Sequence, residues 1–475
     1  MKVIKNYLYN ISYQLLAIIV PLITSAYVAR VLSPEGVGAN AFTGSIIQYF
    51  MLIASMGIAY YGNRQIAYVR ENPQKMAVTF WSIQIVKTLM TLLAYIAFEI
   101  FMLFYTRQQG YMWAQSINLI GVAFDISWFY EGIEDFKVTV LKNSFVKIVS
   151  MIAIFVFIKN PSDVLLYIVV LALSTLLGNL TLWPNIVRDL PKVDVKVLNP
   201  WKHFLPMFSL FIPQIATQIY VQLNKTMLGA MVNEAASGYY QYSDNLVKLI
   251  LALVTATGTV MLPHVANAVA KGNMHKVNDM LYKSFNFVSA VAYPMMFGLA
   301  GISLTLATKY YGANYQPVGP AMLIESIVIL MIAWSNVIGV QYLLPLNKNK
   351  EFTISVTLGA IVNLILNIPL IKNWGLYGAM WSTVISEMAV TAYQLFVVKK
   401  LLSYKKLFNE SWKYFLSGLL MFLVVFWMNT HLKNTWLMLG VEVVTGVVIY
   451  GILVVILHAS IVNEGKDLIL KRFRK

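Results

Sequence analysis

The chain has 475 residues, of which 59% are hydrophobic and 12% are charged, and it has a net charge of +16 and no cysteine. Because soluble domains carry about 25% charged residues, this chain has too few charged side chains to cover the surface of a soluble protein. The same figures exclude a disordered chain, and the absence of cysteine excludes disulfides, zinc–thiolate sites and a cysteine nucleophile, which leaves a protein that crosses a membrane several times.

Fourteen apolar stretches are long enough to cross a bilayer as helices, which takes about 20 residues each. They are continuous apolar runs and not the alternating segments of about ten residues that build a membrane β-barrel. The predicted fold is therefore an all-α polytopic membrane protein with about 14 transmembrane helices. In chain order the predicted spans are 10–31, 39–61, 78–104, 111–130, 139–158, 163–183, 204–230, 239–263, 282–306, 318–343, 351–371, 377–398, 411–430 and 435–458.

The basic residues of the loops test this count and give the orientation. With both ends of the chain in the cytoplasm, the inner segments hold 27 Lys and Arg residues and the outer segments hold six. One missed span would invert every later loop and remove the contrast, since cytoplasmic loops are the ones enriched in Lys and Arg. The sequence thus predicts a plasma- or inner-membrane protein with cytoplasmic termini. The positive charge belongs to these loops, so no nucleic-acid partner is expected.

The turns after the first and seventh spans are similar. Residues 32–38 and 231–238 each place an acidic residue at the outer mouth, followed by a Gly that opens the next helix. Short turns between helices favour Gly in any protein, which is the alternative to a repeat. A true repeat predicts two pseudo-symmetric bundles around a central cavity, as in many transporters. The predicted parts are an N-terminal six-helix bundle at 1–187, a cytoplasmic linker at 188–203, a C-terminal six-helix bundle at 204–400, and two extra transmembrane helices with a basic cytoplasmic tail at 401–475.

Once the loops and the residues counted with them are removed, nine ionisable residues remain in the spans. Each costs about 2.5–3.5 kcal/mol at the bilayer centre, so such residues face protein or water and mark a pathway. The three basic ones are Lys87, Lys225 and Lys248, and the six acidic ones are Glu99, Asp125, Asp244, Glu325, Glu387 and Glu442. Glu442 makes the last pair of spans the weakest part of the count. No His lies in mid-span, so carboxylates would have to carry any proton coupling.

Three spans carry polar stripes at helical spacing, and each stripe contains a Lys. The stripes are Gln214, Thr217, Gln218, Gln222 and Lys225 in the seventh span, Gln241, Asp244, Lys248, Thr255 and Thr259 in the eighth, and Gln84, Lys87, Thr88 and Thr91 in the third. They either line a hydrated cavity with cationic walls or hydrogen-bond between helices, as polar residues do in any bundle. Asp244 and Lys248 are spaced to pair, either as a neutralised pair that eases insertion or as a gate. Arg30 and Arg64, near span ends, either face the pathway or snorkel to headgroups.

Enzyme signatures are missing from the sequence. It contains no HExxH, GxSxG, P-loop or nucleotide-sugar motif. No cofactor and no metal are therefore expected, and transport would be driven by a gradient or by a partner protein.

Several stretches are similar to a known family. The most specific is 125–137, Asp-Ile-Ser-Trp-Phe-Tyr-Glu-Gly-Ile-Glu-Asp-Phe-Lys, and the others are 29–38, 56–67, 310–312, 363–369 and 375–379 with Glu387. They resemble the polysaccharide (O-antigen and capsule repeat-unit) flippase family of the multidrug/oligosaccharidyl-lipid/polysaccharide exporter superfamily, over nearly the whole chain. Family members often carry an Asp where Asn224 stands, so the resemblance does not extend to a coupling carboxylate there.

The resemblance implies a flippase that moves a polyprenyl-diphosphate-linked oligosaccharide from the inner to the outer leaflet for capsule, exopolysaccharide or O-antigen assembly. The lipid tail would stay in the membrane lipid, and a polysaccharide polymerase and assembly proteins would be partners. Alternating access with a cationic cavity would shield the diphosphate. The predicted substrate-binding residues are Lys87, Lys225, Lys248, Arg30 and Arg64, and the predicted gating or coupling residues are Asp125, Asp244 and Glu325.

Three other functions stay open at this point. A drug or cation antiporter of the same superfamily predicts a cavity dominated by acids. A membrane polysaccharide polymerase or ligase needs a sizeable outer loop, which the predicted spans do not leave. A scaffold that does not transport needs no charged stripes inside its spans.

Overall fold

The computed structural model describes residues 2–462, except the side chains of residues 2–15, 17, 136, 187–189, 210, 212, 213, 216, 217, 257, 259, 260 and 263. Within this part of the chain all regular structure is helical. Each predicted span coincides with a helix, or with consecutive helices separated by a short break, which confirms the all-α membrane fold. The predicted basic tail beyond residue 462 lies outside the described residues, as do the side chains of Thr217 and Thr259.

Contact density divides the chain into two compact units, Met1–Gly238 and Tyr239–Lys475. The helices of the first unit are α1 (Lys2–Val31), α2 (Pro34–Ser55), α3 (Ile58–Val69), α4 (Pro73–Phe104), α5 (Gln109–Phe124), α6 (Ser127–Gly132), α7 (Phe136–Phe157), α8 (Val164–Leu180), α9 (Trp183–Asp189) and α10 (Trp201–Met231). The helix α11 (Glu234–Ala270) starts in this unit and continues into the next. The division of the sequence into two repeats at 188–203 remains a prediction.

The second unit contains, up to residue 462, the rest of α11 and seven further α-helices. They are α12 (Met274–Tyr311), α13 (Val318–Glu325), α14 (Ile327–Ser335), α15 (Asn349–Val398), α16 (Tyr404–Leu407), α17 (Ser411–His431) and α18 (Trp436–Ile456), with a π-helical segment at Asn336–Leu343 after α14. Its core packs α12 against α13, α14, α17 and α18.

Nine helical segments in the described residues are long and apolar enough to cross a membrane. Two features of the fold make this number lower than fourteen. The eleventh and twelfth predicted spans form the single element α15, and the fourth is divided between α5, which has 16 residues, and α6, which has six. Among the described residues of α1, Ile18–Val31 is a shorter apolar segment.

Local sequence explains where the helices of the first unit begin and break. Ser33 caps α2 by accepting a hydrogen bond from the Gly36 amide at 3.2 Å, and Pro34 occupies the first turn, where its missing N–H costs nothing. The second predicted span is divided between α2 and α3 at Met56 and Gly57, whose φ angles are 38° and 74°. Left-handed conformation at two successive residues ends one helix and starts the next.

The element α15 bends at Gly375, where φ is 53° and ψ is −125°. The two arms of this bend come so close that a Cβ on Gly378 would lie 2.0 Å from the Leu370 carbonyl oxygen. Glycine at 378 is therefore what lets the eleventh and twelfth predicted spans form a tight hairpin.

Glu442 does not interrupt α18. Its side chain is 2% exposed and accepts a hydrogen bond from the Asn429 amide at 2.7 Å, while the Asn429 oxygen accepts one from the Thr305 backbone N–H at 3.2 Å. These bonds join α18, α17 and α12, so this residue serves interhelical hydrogen bonding. The last pair of predicted spans is present as α17 and α18.

Candidate functional site

The fourth predicted span is not continuous, because the helix breaks between α5 and α6 at residues 125 and 126. Helix ends leave backbone carbonyls without a partner in the helix, and at this end three successive carbonyls each accept a hydrogen bond from a side chain. The donors are Gln84 Nε2 to Ala123 at 2.7 Å, Trp183 Nε1 to Phe124 at 2.9 Å, and Lys87 Nζ to Asp125. The break is thus stabilised by side chains of α4 and α9.

Lys87 is the central residue of this arrangement. It is 3% exposed, and its ammonium group lies at the negative end of the α5 dipole, where a cation is stabilised. The two threonines of its stripe, Thr88 and Thr91, donate their hydroxyl groups to backbone carbonyls of their own helix. Within the third-span stripe, Gln84 and Lys87 are therefore the residues that reach across to the break.

The Asp125 carboxylate lies next to Lys87. One carboxylate oxygen accepts hydrogen bonds from the Ser127 backbone N–H at 3.1 Å and from the Ser127 hydroxyl at 2.6 Å. Lys87 and Lys142 both interact with it electrostatically. The structure therefore brings together a predicted cavity cation and a predicted coupling acid.

Both residues line a cavity of about 260 Å³ inside the first unit. Its wall is formed by Gln48, Met51, Leu52, Ser55, Ile58, Ala59, Lys87, Val122, Asp125, Ser127, Trp128, Glu131, Gln214 and Gln218. The two glutamines from α10 belong to the seventh-span stripe, so this part of the stripe faces a cavity. The charged groups on the described wall are one Lys and two carboxylates, which makes the cavity polar and of mixed charge.

Two hydrogen-bond donors on this wall have no acceptor among the described residues, namely the Trp128 indole N–H and the Gln214 amide nitrogen. Trp128 is held rigidly, because its ring stacks on Phe80 at 5.5 Å and because a Cβ on Gly62 would lie 2.4 Å from it. Fixed donors without partners are suited to oxygen atoms of water or of a ligand.

A second cluster of predicted residues lies in the second unit. The Lys248 ammonium is 2.7 Å from the Asp244 carboxylate, and the Ser243 hydroxyl donates to Glu325 at 2.5 Å. Lys248 also interacts electrostatically with Glu325 and Glu387. Asp244 and Glu325 are 7% and 1% exposed, whereas half of the Lys248 side chain is exposed. Three carboxylates therefore share the charge of one lysine.

The other three predicted cations lie on α1, α3 and α10. Arg30 is exposed in the last turn of α1, and Arg64 is exposed on α3 with its guanidinium 5.8 Å from the Tyr61 ring centre. Lys225 is half-buried on α10, next to Thr226, whose hydroxyl bonds to the Ser45 hydroxyl at 2.8 Å. None of these three cations is among the described residues that line the first-unit cavity.

The predictions from the sequence did not include four polar residues of the wall: Gln48, Ser55, Ser127 and Glu131. Gln48 and Ser55 are seven residues apart with Met51 and Leu52 between them, which is the spacing of one helix face. Glu131 follows Asp125 after the helix break and accepts a hydrogen bond from Asn63 at 3.3 Å. Helical spacing in α2 was the signal that would have found the first two.

The two similar turns of the first unit pack against each other. A Cβ on Gly38 would lie 1.7 Å from the Glu234 carbonyl oxygen, and a Cβ on Gly238 would lie 2.9 Å from the Gly38 nitrogen. The Glu234 carboxylate also accepts hydrogen bonds from Arg107 at 2.6 Å and from the Gln108 amide at 2.8 Å. We call residues 34–38 and 234–238 the paired turns.

Replacing Arg107 with Gln is expected to lower the free energy of unfolding by less than about 1 kcal/mol, because exposed ion pairs contribute little. Half of the Arg107 side chain is exposed, and Gln108 remains as a donor to Glu234. Thermal unfolding of the purified variant measures the effect. A loss of several kcal/mol would show that the ion pair, and not the glycine contact, holds the paired turns together.

The chain is similar to known proteins of polysaccharide biosynthesis and lipid transport. The family model described as "Polysaccharide biosynthesis protein" matches residues 3–269, which is more than half of the chain and includes the first-unit cavity. The putative O-antigen transporter of Escherichia coli (strain K12) is 21% identical over 388 residues, which cover 80% of this chain and 93% of that protein. The lipid II flippase MurJ of Bacillus subtilis (strain 168) is 22% identical over 214 residues, 42% of this chain and 39% of that protein.

Solved structures show the same fold. The lipid II flippase MurJ in its inward closed conformation superposes with a TM-score of 0.80 at 17% identity, covering 96% of this chain and 100% of that one. An inward-facing multidrug resistance transporter of the MATE family gives a TM-score of 0.61 at 12% identity, covering 86% and 94%. These relatives are transporters and flippases and not enzymes. The chain is a multi-pass membrane protein and belongs to the polysaccharide biosynthesis protein family.

Proposed function

We propose that the protein is a flippase that moves a polyprenyl-diphosphate-linked oligosaccharide across the plasma or inner membrane. The observation that carries the proposal is the polar cavity at the α5–α6 break, with the buried Lys87 on its wall, in a chain of this family. A diphosphate cannot enter hydrocarbon without compensation, and a polar, water-accessible wall with a cation supplies it.

The cations Lys87, Lys225, Lys248, Arg30 and Arg64 are proposed to contact the diphosphate at successive stages of transport. Lys87 donates one of its three N–H groups to the Asp125 carbonyl in this structure, and the others are proposed to donate to phosphate oxygens. The lipid tail stays in the bilayer, and alternating access carries the headgroup across.

Coupling to an ion gradient is proposed for Asp244, Glu325 and Asp125. In the second unit, three carboxylates interact with a single lysine, and such a cluster is stabilised when a proton or cation binds to it. In the first unit, the charge of the Asp125 carboxylate is stabilised by Lys87, so movement of Lys87 would change its affinity for a proton or cation. The proposal also includes cytoplasmic termini, export for capsule, exopolysaccharide or O-antigen assembly, and contact with a polysaccharide polymerase and assembly proteins.

Depletion of the protein in a cell that makes a surface polysaccharide tests this function. We expect surface polymer to fall and lipid-linked repeat units to accumulate on the cytoplasmic leaflet.

The charge reversals Lys225→Glu and Lys248→Glu are expected to reduce surface polymer about tenfold or more, because each replaces attraction to a diphosphate with repulsion. Lys405→Glu, on the exposed face of α16, is the matched control. Unchanged export by the charge-reversal variants at normal protein levels would remove Lys225 and Lys248 from the mechanism. In the depletion experiment, lipid-linked repeat units that accumulate on the outer leaflet would indicate a polymerase.

A drug or cation antiporter is the second candidate, and one observation favours it. The described wall of the first-unit cavity carries Asp125 and Glu131 against the single Lys87. Carboxylates attract cations, so this candidate predicts that the purified protein in liposomes exchanges a cationic dye for protons. The flippase predicts instead that a fluorescent polyprenyl-diphosphate saccharide moves between leaflets and that the dye does not.

A further inference from the structure

The turn between α11 and α12 forms a basic cavity that the proposed function does not use. The turn is fixed by its backbone: Gly272 has a φ of 68°, and the Asn273 N–H donates to the Ala268 carbonyl at 3.1 Å. The Asn273 side chain then caps α12 by accepting a hydrogen bond from the Lys276 N–H at 3.0 Å. This geometry fixes the backbone on both sides of the turn.

The cavity has a volume of about 540 Å³ and is lined by His264, Asn267, Ala268, Lys271, Asn273, Lys276 and Met280. Its polar groups are two ammonium groups, an imidazole and two amides. No acidic side chain is among the described residues that line it. The acidic residue that follows in sequence, Asp279, pairs with Lys283 at 2.8 Å. Positive charge at this wall is therefore not neutralised by the described part of the protein.

This combination of groups fits a phosphate. Two lysines supply charge, and amide and imidazole groups supply further hydrogen bonds to phosphate oxygens. Ala268 and Met280 add an apolar part to the wall. A fully soluble ligand has no use for that part, whereas a lipid places its first acyl carbons next to its phosphate.

The position of the cavity favours a lipid over free phosphate. It lies where α12, one of the helices able to cross a membrane, begins at Met274. The predicted orientation places this turn at the cytoplasmic face, where the leaflet is rich in anionic lipids that attract Lys and Arg. We propose that the cavity between α11 and α12 binds the phosphate headgroup of an anionic phospholipid of the inner leaflet.

Native mass spectrometry of the purified full-length protein tests the proposal with phosphatidylglycerol and phosphatidylcholine as probes. We expect the wild-type protein to retain phosphatidylglycerol in preference to phosphatidylcholine. The double substitution Lys271→Gln/Lys276→Gln should weaken phosphatidylglycerol binding by roughly tenfold or more, because it removes both ammonium charges. The double substitution Lys271→Arg/Lys276→Arg keeps the charge and should retain binding. Lys405→Gln/Lys406→Gln, which removes two exposed lysines from α16, is the matched control and should leave binding unchanged.

Equal phosphatidylglycerol binding by the wild type and the glutamine variant would overturn the proposal, and so would an equal loss in the control. Inorganic phosphate serves as a second probe. If millimolar phosphate displaces the lipid completely and binds equally well without it, the site is one for soluble phosphate and the lipid assignment is wrong. Should the glutamine variant fail to fold, the salt dependence of the wild type decides: a lipid preference that does not fall as salt rises contradicts a site built on lysines.

Discussion

Replacing Gly38 with alanine is expected to lower the free energy of unfolding by about 3 kcal/mol or more, at the upper end of the cost of overpacking. The added Cβ would lie 1.7 Å from the Glu234 carbonyl oxygen. That oxygen belongs to the backbone and cannot rotate away as a flexible side chain would, so the paired turns must separate. Thermal unfolding of the purified protein measures the loss, and surface polysaccharide measures its effect on export.

Gly110→Ala is the matched control. Gly110 lies in the first turn of α5, and a Cβ there would meet no atom within 4 Å. Its effect should stay within about 0.5 kcal/mol, as for other exposed substitutions. A Gly38→Ala protein as stable as the wild type would mean that the paired turns do not contact each other in the stable conformation.

Replacing Lys87 with methionine should cost about 1–3 kcal/mol, the usual effect of leaving a buried hydrogen-bond acceptor without its donor. Methionine keeps the length of the side chain but leaves the Asp125 carbonyl without its donor and the Asp125 carboxylate with less positive charge nearby. Lys75→Met, at an exposed position near the start of the same helix, is the control and should change the unfolding temperature little. Thermal unfolding gives the comparison.

A double-mutant cycle separates the contribution of the Asp125 carboxylate from that of its backbone carbonyl. Asp125→Asn removes the charge and leaves the carbonyl in place. If the two charges interact as the structure indicates, the double variant Lys87→Met/Asp125→Asn will be more stable than the sum of the two losses predicts, by about 1 kcal/mol or more. Strict additivity would contradict the interaction and leave Lys87 as a cap of α5 alone.

The sequence predicted the helices well because continuous apolar length is a strong signal in a chain with few charges. It failed at the break in the fourth span. Residues 111–130 read as one run, and no Pro or Gly stands at 125 or 126 to mark an interruption. The break depends on donors from Gln84, Lys87 and Trp183, which are distant in the sequence and are brought to it only by packing.

The candidate site was predicted in part. Lys87 and Asp125 stood out because charged residues are rare inside spans, but their proximity depends on how α4 packs beside α5, which spacing along one helix cannot show. Pairing of Asp244 with Lys248 was predictable because both lie on one helix, four residues apart. The link from Ser243 to Glu325 was not, because it joins α11 to the end of α13.

In the proposed mechanism, the capped end of α5 also limits how tightly the protein can hold an anionic headgroup. An anion that draws the Lys87 ammonium away from the Asp125 carbonyl deprives that carbonyl of its donor, so part of the attraction is offset by that loss. The net affinity is lower than that of an unengaged lysine at the same depth. A carrier needs this moderation, because a headgroup bound too firmly on one side of the membrane would never be released on the other.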